Sequence, residues 1–412
     1  MVTTRIGRRE FLAGTTGAVL AATLPAPAIA QNKPVSIGLL TVKTGPLATG
    51  GIQMEQGTIR FLKDRNHMLA GRKVELVVAD TGGNPAGTKT KTQELVERDH
   101  VDMIFGPLAA FELLAISDYT AQAKMPILSL AAAEDMTQRR PNPYFVRASG
   151  TSAQPLHVLA DYAAKELKLK RVITIADDFA FGHEQMAGFQ RVFEDAGGRV
   201  VKKLWPPLVT PDYTPYLAQI GGVDAVVQGF AGSNPLKFMK QYQDQGLKLP
   251  VLAGVPACDE ALMKSFGDEV LGVISVSLYT ADLDTPSNKR LIDGMVRDYG
   301  NVPGIYAAGL YINGLVAEAA LEKTGGKTDD RDALIRALRS VSLTDTPRGP
   351  FTFDHLGNVV GSFYVRKCEK KGDKLVNTTI KTYPKVSQFW TYEEKWFLAQ
   401  PVYSRDFPPL KS

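Results

Sequence analysis

Val35-Ser36-Ile37-Gly38-Leu39-Leu40, followed by Thr44-Gly45-Pro46-Leu47-Ala48-Thr49-Gly50-Gly51, decides the architecture of this chain. The first six residues form a short apolar run of strand type, a glycine-rich turn follows, and a helix-period segment begins at 51 and runs to 66. A strand that feeds a helix through a tight turn is half of a βαβ unit. The pattern then repeats. Strand signals at 73–80, 101–106 and 126–130 alternate with helical signals at 85–98 and 111–124. Those helices are long enough to cross back over a sheet, so neighbouring strands should run parallel.

The cadence restarts after Arg147-Ala148-Ser149-Gly150. Strands are expected at 171–176, 199–204, 225–229, 250–254 and 272–277, with helices at 153–167, 182–196 and 235–246 between them. Helical patterns at 286–299, 306–324 and 331–339 follow a recrossing near 279–283 and are assigned back to the first lobe. Strands at 351–354, 362–369 and 375–383 return to the second. The tail from Pro384, rich in proline and aromatics, should pack over that second lobe as ordered loop. The expected fold is α/β, with two doubly wound parallel-sheet lobes: 31–148 and 280–350 in lobe one, 149–279 and 351–412 in lobe two.

Residues 1–30 read as an export tag. Gly7-Arg8-Arg9-Glu10-Phe11-Leu12 resembles the twin-arginine motif, an apolar run covers 13–24, and Ala28-Ile29-Ala30 is an A-x-A cleavage signal ahead of Gln31. The apolar run is too short to cross a membrane, which takes about 20 residues. The mature chain should begin near Gln31, in the periplasm. Its formal charge of +5 moves toward neutral once Arg5, Arg8, Arg9 and Glu10 leave with the tag, which favours neither nucleic acid nor an anionic membrane as partner. A 412-residue chain with 44% hydrophobic residues can bury a large core.

The chemistry-bearing patterns are sparse. The two cysteines, Cys258 and Cys368, leave open one bridge or two buried thiols, and the reading favours the thiols. The five histidines stand singly without metal-ligand spacing, so no metal and no cofactor is expected. Gly325-Gly326-Lys327-Thr328 imitates the end of a phosphate loop, but Leu321 stands where a glycine is needed, and a helix end explains it. Gly232-Ser233-Asn234 lacks the second glycine of a nucleophile elbow. Asp177-Asp178 are consecutive on a strand end and should face opposite ways, which argues against a shared acid–base site. Nothing assembles a nucleophile, a base and an orienting group, so the chain does not read as an enzyme.

With these elements laid out, nearly the whole mature chain resembles the extracytoplasmic solute-binding proteins of ABC transporters, in the class typified by leucine/isoleucine/valine binders. The resemblance rests on Ile37-Gly38-Leu39-Leu40 with Thr44-Gly45-Pro46, Gly71-Arg72-Lys73-Val74-Glu75-Leu76, Asp102-Met103-Ile104-Phe105-Gly106-Pro107, Met125-Pro126-Ile127-Leu128-Ser129, Phe145-Val146-Arg147 and Gly349-Pro350-Phe351-Thr352-Phe353-Asp354. It implies a flytrap of two lobes joined by three crossings, with the ligand between them, near the carboxyl ends of the strands. It also implies an ABC permease as partner and a monomer in solution.

Departures from the amino-acid binders bear on the ligand. Where those proteins hold a ligand carboxylate with Ser or Thr hydroxyls, this chain aligns Ala110 and Ala133, leaving the backbone donors of Ala110, Ala131 and Ala133. Val255 aligns with the acidic residue that pairs the ligand ammonium. A buried ammonium without a counter-charge is costly, so an α-amino acid should bind poorly unless the register slips and Asp259 takes the role. Gly50, beside Thr49 on the ligand-facing loop, and Ala231 align with bulky aromatics, which widens the cleft. Phe111, Phe179, Phe181, Phe230 and Tyr279 fall at or near cleft loops, where rings can stack on a planar ligand. Arg147, at a crossing, is read as a hinge residue ahead of an anion partner. The expected ligand is a small aromatic carboxylate of benzoate or hydroxycinnamate type. The alternatives are a branched-chain amino acid, amide or urea-type ligand, or a ligand-sensing partner of a receptor.

Overall fold

The computed structural model describes residues 33–411, so the export tag expected at 1–30 lies outside the described residues. Two sheets organise the chain. The first holds β1 (Val35–Thr41), β2 (Met68–Leu69), β3 (Arg72–Asp80), β4 (Met103–Phe105), β5 (Ile127–Leu128) and β6 (Phe145–Val146), in the order β2-β3-β1-β4-β5-β6. Every pairing except β2 with β3 is parallel. The crossovers are made by α1 (Ala48–Asp64), α2 (Pro85–Gln93) and α3 (Ala110–Gln122). Strand β1 is buried at every position, as a strand covered by helices on both faces must be.

The second sheet contains β7 (Arg171–Ala176), β8 (Arg199–Leu204), β9 (Ala225–Gly229), β10 (Val251–Ala253), β11 (Ile274–Ser277), β12 (Ser342–Leu343), β13 (Phe351–Phe353), β14 (Val359–Lys371) and β15 (Lys374–Val386). Its order is β12-β13-β14-β11-β10-β9-β7-β8, with β15 paired to β14. The strands from β7 to β11 pair in parallel and β14 joins β11 antiparallel. Helices α4 (Ala153–Lys165), α5 (Ala180–Asp195), α6 (Thr214–Leu217) and α7 (Asn234–Asp244) belong to this α/β lobe.

Helices α8 (Pro286–Tyr299), α9 (Ile305–Lys323) and α10 (Arg331–Arg339) return to the first lobe. There α9 lies so close on α1 that a Cβ at Gly57 would stand 2.1 Å from the Ala307 carbonyl oxygen. The phosphate-loop look-alike ends α9 instead. Gly325 and Gly326 take φ of 61° and 78°, and their N–H groups donate to Glu322 and Leu321 carbonyls at 3.1 and 2.7 Å, the pattern of a Schellman cap.

The chain passes between lobes after β6, after β11 and after α10. Two buried arginines fasten these passages. Arg147 donates from Nε to Asn358 Oδ1 at 2.8 Å and from Nη1 to the Ala133 carbonyl at 2.7 Å, and its Nη2 bonds Thr137 Oγ1. Arg348 donates to the carbonyls of Ala148, Ser149 and Ser362. Sequence reading did not single out Arg348.

Two details depart from the sequence expectation. Strand β12 pairs with β13 in the second sheet, ahead of the expected boundary at 350, and two residues are too few to leave a periodic signal. The tail is not loop throughout: α11 (Glu394–Ala399) forms because Glu393 accepts from the N–H groups of Lys395 and Trp396. Glutamate lies outside the favoured N-cap set, so the start signal was weak. The tail also touches lobe one, where Arg139 donates to the Phe397 and Gln400 carbonyls.

Candidate functional site

A cavity opens between the lobes, with about 650 Å³ of unfilled space counting the part open to solvent. Lobe one contributes Leu47, Leu108, Ala109, Ala110, Leu130 and Ala132, together with Ile305 and Tyr306 at the start of α9. Lobe two contributes Phe179, Phe181, Ala231, Val255, Pro256, Leu278 and Phe363, and the first crossing lays Ser149, Gly150, Thr151 and Ser152 along the floor. No Asp, Glu, Lys, Arg or His lies among these lining residues. The surface is apolar, with three hydroxyls grouped on one side.

The topology explains why polar donors still converge there. Parallel strands end at the cleft, so the helices that follow begin at it. The residues before α1, α3, α4, α5 and α9 are Leu47, Ala109, Ser152, Phe179 and Gly304, and no side chain of theirs caps its helix. By contrast, α2, α8 and α10 start under Asn84, Thr285 and Asp330 side chains. The starts of α1, α3 and α5 therefore present N–H groups and the positive ends of their dipoles, whereas the first N–H groups of α4 are taken by Glu134 Oε1 and Thr151 Oγ1 and that of α9 by Asp259 Oδ2.

Of the residues expected at the site, Ala110, Phe179, Phe181, Ala231 and Val255 line this cavity. Phe179 and Phe181 stack with ring centroids 6.0 Å apart. Phe111 stands behind them, edge-on to Phe179. Ala131 and Ala133 are set back, with Ala132 between them on the surface. The Ala131 N–H is used by Ser129 Oγ at 2.9 Å, and the Ala133 carbonyl by Arg147. Thr49 and Gly50 lie on a smaller adjoining space with Gln53, Gly232, Asp259 and Tyr306. The room beside Gly50 is taken by the Tyr306 ring, whose nearest atoms would be 3.0 Å from a Cβ there.

Phe230 and Tyr279 point elsewhere. Phe230 packs against Tyr213 and Phe238 inside lobe two, and the Tyr279 hydroxyl donates to Asn288 Oδ1 at 2.9 Å. Both are fully buried, the usual fate of aromatics at strand ends. Sequence reading missed the crossing hydroxyls, the Ile305–Tyr306 corner and several apolar wall residues, Leu47, Leu108, Leu130, Leu278 and Phe363 among them. The corner had a readable signal, an aromatic two residues after Gly304 at a helix start, but it belongs to a helix far along the chain.

The carboxylates near the cavity have other partners. Asp177 Oδ2 accepts from the Ala231 N–H at 2.7 Å and Oδ1 from Asn234 Nδ2 at 2.8 Å, and burial pushes this carboxyl up to about 7. Asp178 faces away to His183 and Arg405. Asp259, also pushed up to about 7 by burial, accepts from the backbone of Ile305 and Ala261. Beneath the floor, Ser152 Oγ donates to Glu184 Oε2 at 2.6 Å, and the Glu134 N–H donates to Glu184 Oε1 at 3.3 Å. Burial, then the neighbouring Glu134, raises the Glu184 carboxyl well above the ordinary carboxylate range.

Two α/β lobes that share a cavity at the strand ends provide a site for a small molecule. The match to known proteins makes this concrete: the periplasmic binding protein family covers residues 34–373, and the chain belongs to it. It is 29% identical over 364 residues to the Leu/Ile/Val-binding protein homolog 6 of Brucella suis biovar 1 (strain 1330), covering 85% of this chain and 92% of that protein. Among solved structures, it resembles an ABC transporter substrate-binding protein from Sphaerobacter thermophilus, with 32% identity, a TM-score of 0.81, and 86% and 99% of the two chains covered. It is equally similar to a solute-binding protein of an ABC transporter from Rhodopseudomonas palustris BisB5 in complex with 3,4-dihydroxybenzoic acid, with 32% identity, a TM-score of 0.82, and 86% and 98% covered. The protein is thus an ABC-type substrate-binding protein with the leucine/isoleucine/valine-binding fold, a receptor and not an enzyme. No helix among the described residues is long and apolar enough to cross a membrane.

Proposed function

We propose that this protein captures a small aromatic carboxylate of benzoate or hydroxycinnamate type by lobe closure and delivers it, as an exported monomer, to an ABC permease. The observation that carries the reading is the chemical contrast within the cavity. Stacked Phe179 and Phe181 offer faces and edges to a planar ring, while the carboxylate is met by the Ser149 hydroxyl and by N–H groups at the starts of α3 and α5. An α-amino acid would bring an ammonium to a wall that presents Val255. Asp177 and Asp259, the carboxylates at the ends of the lobe-two strands, are engaged with backbone donors. A relative that binds 3,4-dihydroxybenzoic acid supports the same class.

The second reading, a branched-chain amino acid, is favoured by the name of the Brucella relative. It requires Asp177 or Asp259 to release its backbone partners and turn to the ligand. Calorimetric titration of ligand-stripped protein with benzoate and with benzamide separates the carboxylate from the ring. Benzoate should bind at least about ten-fold more tightly, since a charge-assisted hydrogen bond contributes roughly 1.5–3 kcal/mol. Equal affinities would remove anion recognition from the account.

A further inference from the structure

Asp259 follows β10 in lobe two, is 2% exposed, and does not line the main cavity. Its Oδ2 accepts from the Ile305 N–H at 2.8 Å, and Ile305 is the first residue of α9 in lobe one. Its Oδ1 accepts from the Ala261 N–H at 3.1 Å, so the carboxylate serves one helical start in each lobe. Helix α9 has no cap of its own, because its N-cap residue is Gly304. The approach is closer than any other side chain would allow: a Cβ at Gly304 would stand 1.7 Å from Asp259 Oδ1. The neighbouring cation, Arg366, is paired with Glu260 at 2.7 Å, which leaves Asp259 to the backbone of α9.

We propose that Asp259 is an interlobe latch, a positioning residue that shifts the open–closed equilibrium toward closure by capping α9 from the opposite lobe. A carboxylate can reach the α9 start only when the lobes are together. On opening, both ends return to water, so the net bias has the scale of one N-cap interaction. The latch also connects to the cavity wall on both sides. Val255 and Pro256 precede Asp259, and Ile305 and Tyr306 follow Gly304, so a ligand seated against them favours the geometry that makes the bond. This inference rests on the lobe-closure reading but not on the identity of the ligand.

The test uses the ligand-free mature protein with spin labels at Lys89→Cys on α2 and Lys240→Cys on α7, one exposed site per lobe, the native cysteines being buried. Pulsed dipolar measurements then give the ratio of short to long interlobe distances. Asp259→Ala and Gly304→Ala should each lower that ratio about five-fold, the size of a lost N-cap, and the double variant should fall no further. Asp259→Asn, whose amide oxygen still accepts from Ile305, should retain most of it. Gly304→Ala keeps Asp259 and its bond to Ala261, so it reads the latch even where Asp259→Ala fails to fold. A Gly304→Ala distribution equal to wild type, or two losses that multiply, overturns the proposal. Because no ligand is present, failure of aromatic acids to bind would retire the ligand class without touching this comparison.

Discussion

The ring of Phe111, at the start of α3 in lobe one, meets that of Phe179 in lobe two edge-on, with centroids 5.5 Å apart and planes at 70°. Phe179 in turn stacks on Phe181, so the aromatic wall of the cavity is held from behind by the opposite lobe. On the proposed lobe closure, bringing the lobes together and shaping the ligand surface are one event. The Ser233 N–H, which donates to the Pro46 carbonyl at 3.2 Å, adds a further interlobe contact.

Phe181→Ala should weaken binding of an aromatic acid about ten-fold, the value of an aromatic contact beyond its area. Binding of an aliphatic control ligand, if any binds, should change less. Calorimetry on wild type and Phe181→Ala with the two ligands checks both, and equal losses would mean that Phe181 supports the wall without touching a ring.

Ala231 is 4% exposed and lines the cavity, so Ala231→Tyr would put a ring into space that the ligand needs. The expected loss is about ten-fold or more, from an overpacking cost of roughly 1–3 kcal/mol. Unchanged affinity would remove Ala231 from the site.

Burial and the neighbouring Glu134 raise the Glu184 carboxyl above its ordinary range, so its contribution to stability is full below that ordinary range and is lost as pH rises toward the raised value. Glutamine copies the protonated form: its oxygen can accept from the Glu134 N–H, and its amide can donate to Ser152 Oγ, whose hydroxyl then turns from residue 184 to the Ala132 carbonyl 3.0 Å away. Glu184→Gln should match wild type at about pH 5 and equal or exceed it at about pH 8, flattening the pH dependence of unfolding. A variant that is less stable at both would show that the ionised form is the native one.

Removing Arg147 leaves the Ala133 carbonyl and the Asn358 side chain without their buried donor. Arg147→Met should lower unfolding free energy by about 3 kcal/mol or more, measured in denaturant, because buried charged networks lose heavily when one member goes. A loss below about 1 kcal/mol would place the crossing's stability elsewhere.

Cys258 and Cys368 are free and buried, and each lies near enough to affect the other's titration. A thiol reagent should find both in denaturant and neither in the native protein. Thiols absent after denaturation would mean a bridge forms in the exported protein.

Much of this fold could be read from the chain because its strands are buried, β-branched and separated by helices of ordinary length. Strands 171–176, 199–204 and 225–229 and helices 286–299 and 331–339 fall where periodicity placed them. The short strands were harder: β4 and β5 keep only three and two residues of the runs read as 101–106 and 126–130. At the site, Phe179, Phe181, Ala231 and Val255 were accessible from the loops after predicted strand ends. Phe230 was not separable from them, because one residue of register decides whether a ring faces the cleft or the Tyr213–Phe238 core. Tyr306 and the crossing hydroxyls reach the cavity only through long-range topology, which periodicity does not carry.

The most direct test of the central claim is thermal unfolding of the refolded, ligand-free protein against benzoate, 3,4-dihydroxybenzoate, cinnamate, leucine, valine and urea. A ligand at 100 times its dissociation constant adds about 2.7 kcal/mol, enough to move the midpoint visibly in a protein of this size. The account predicts that aromatic acids raise the midpoint and that leucine and valine leave it in place. Stabilisation by leucine or valine with none from the aromatic acids would contradict it, and would mean that Asp177 or Asp259 leaves its backbone partners to meet an ammonium.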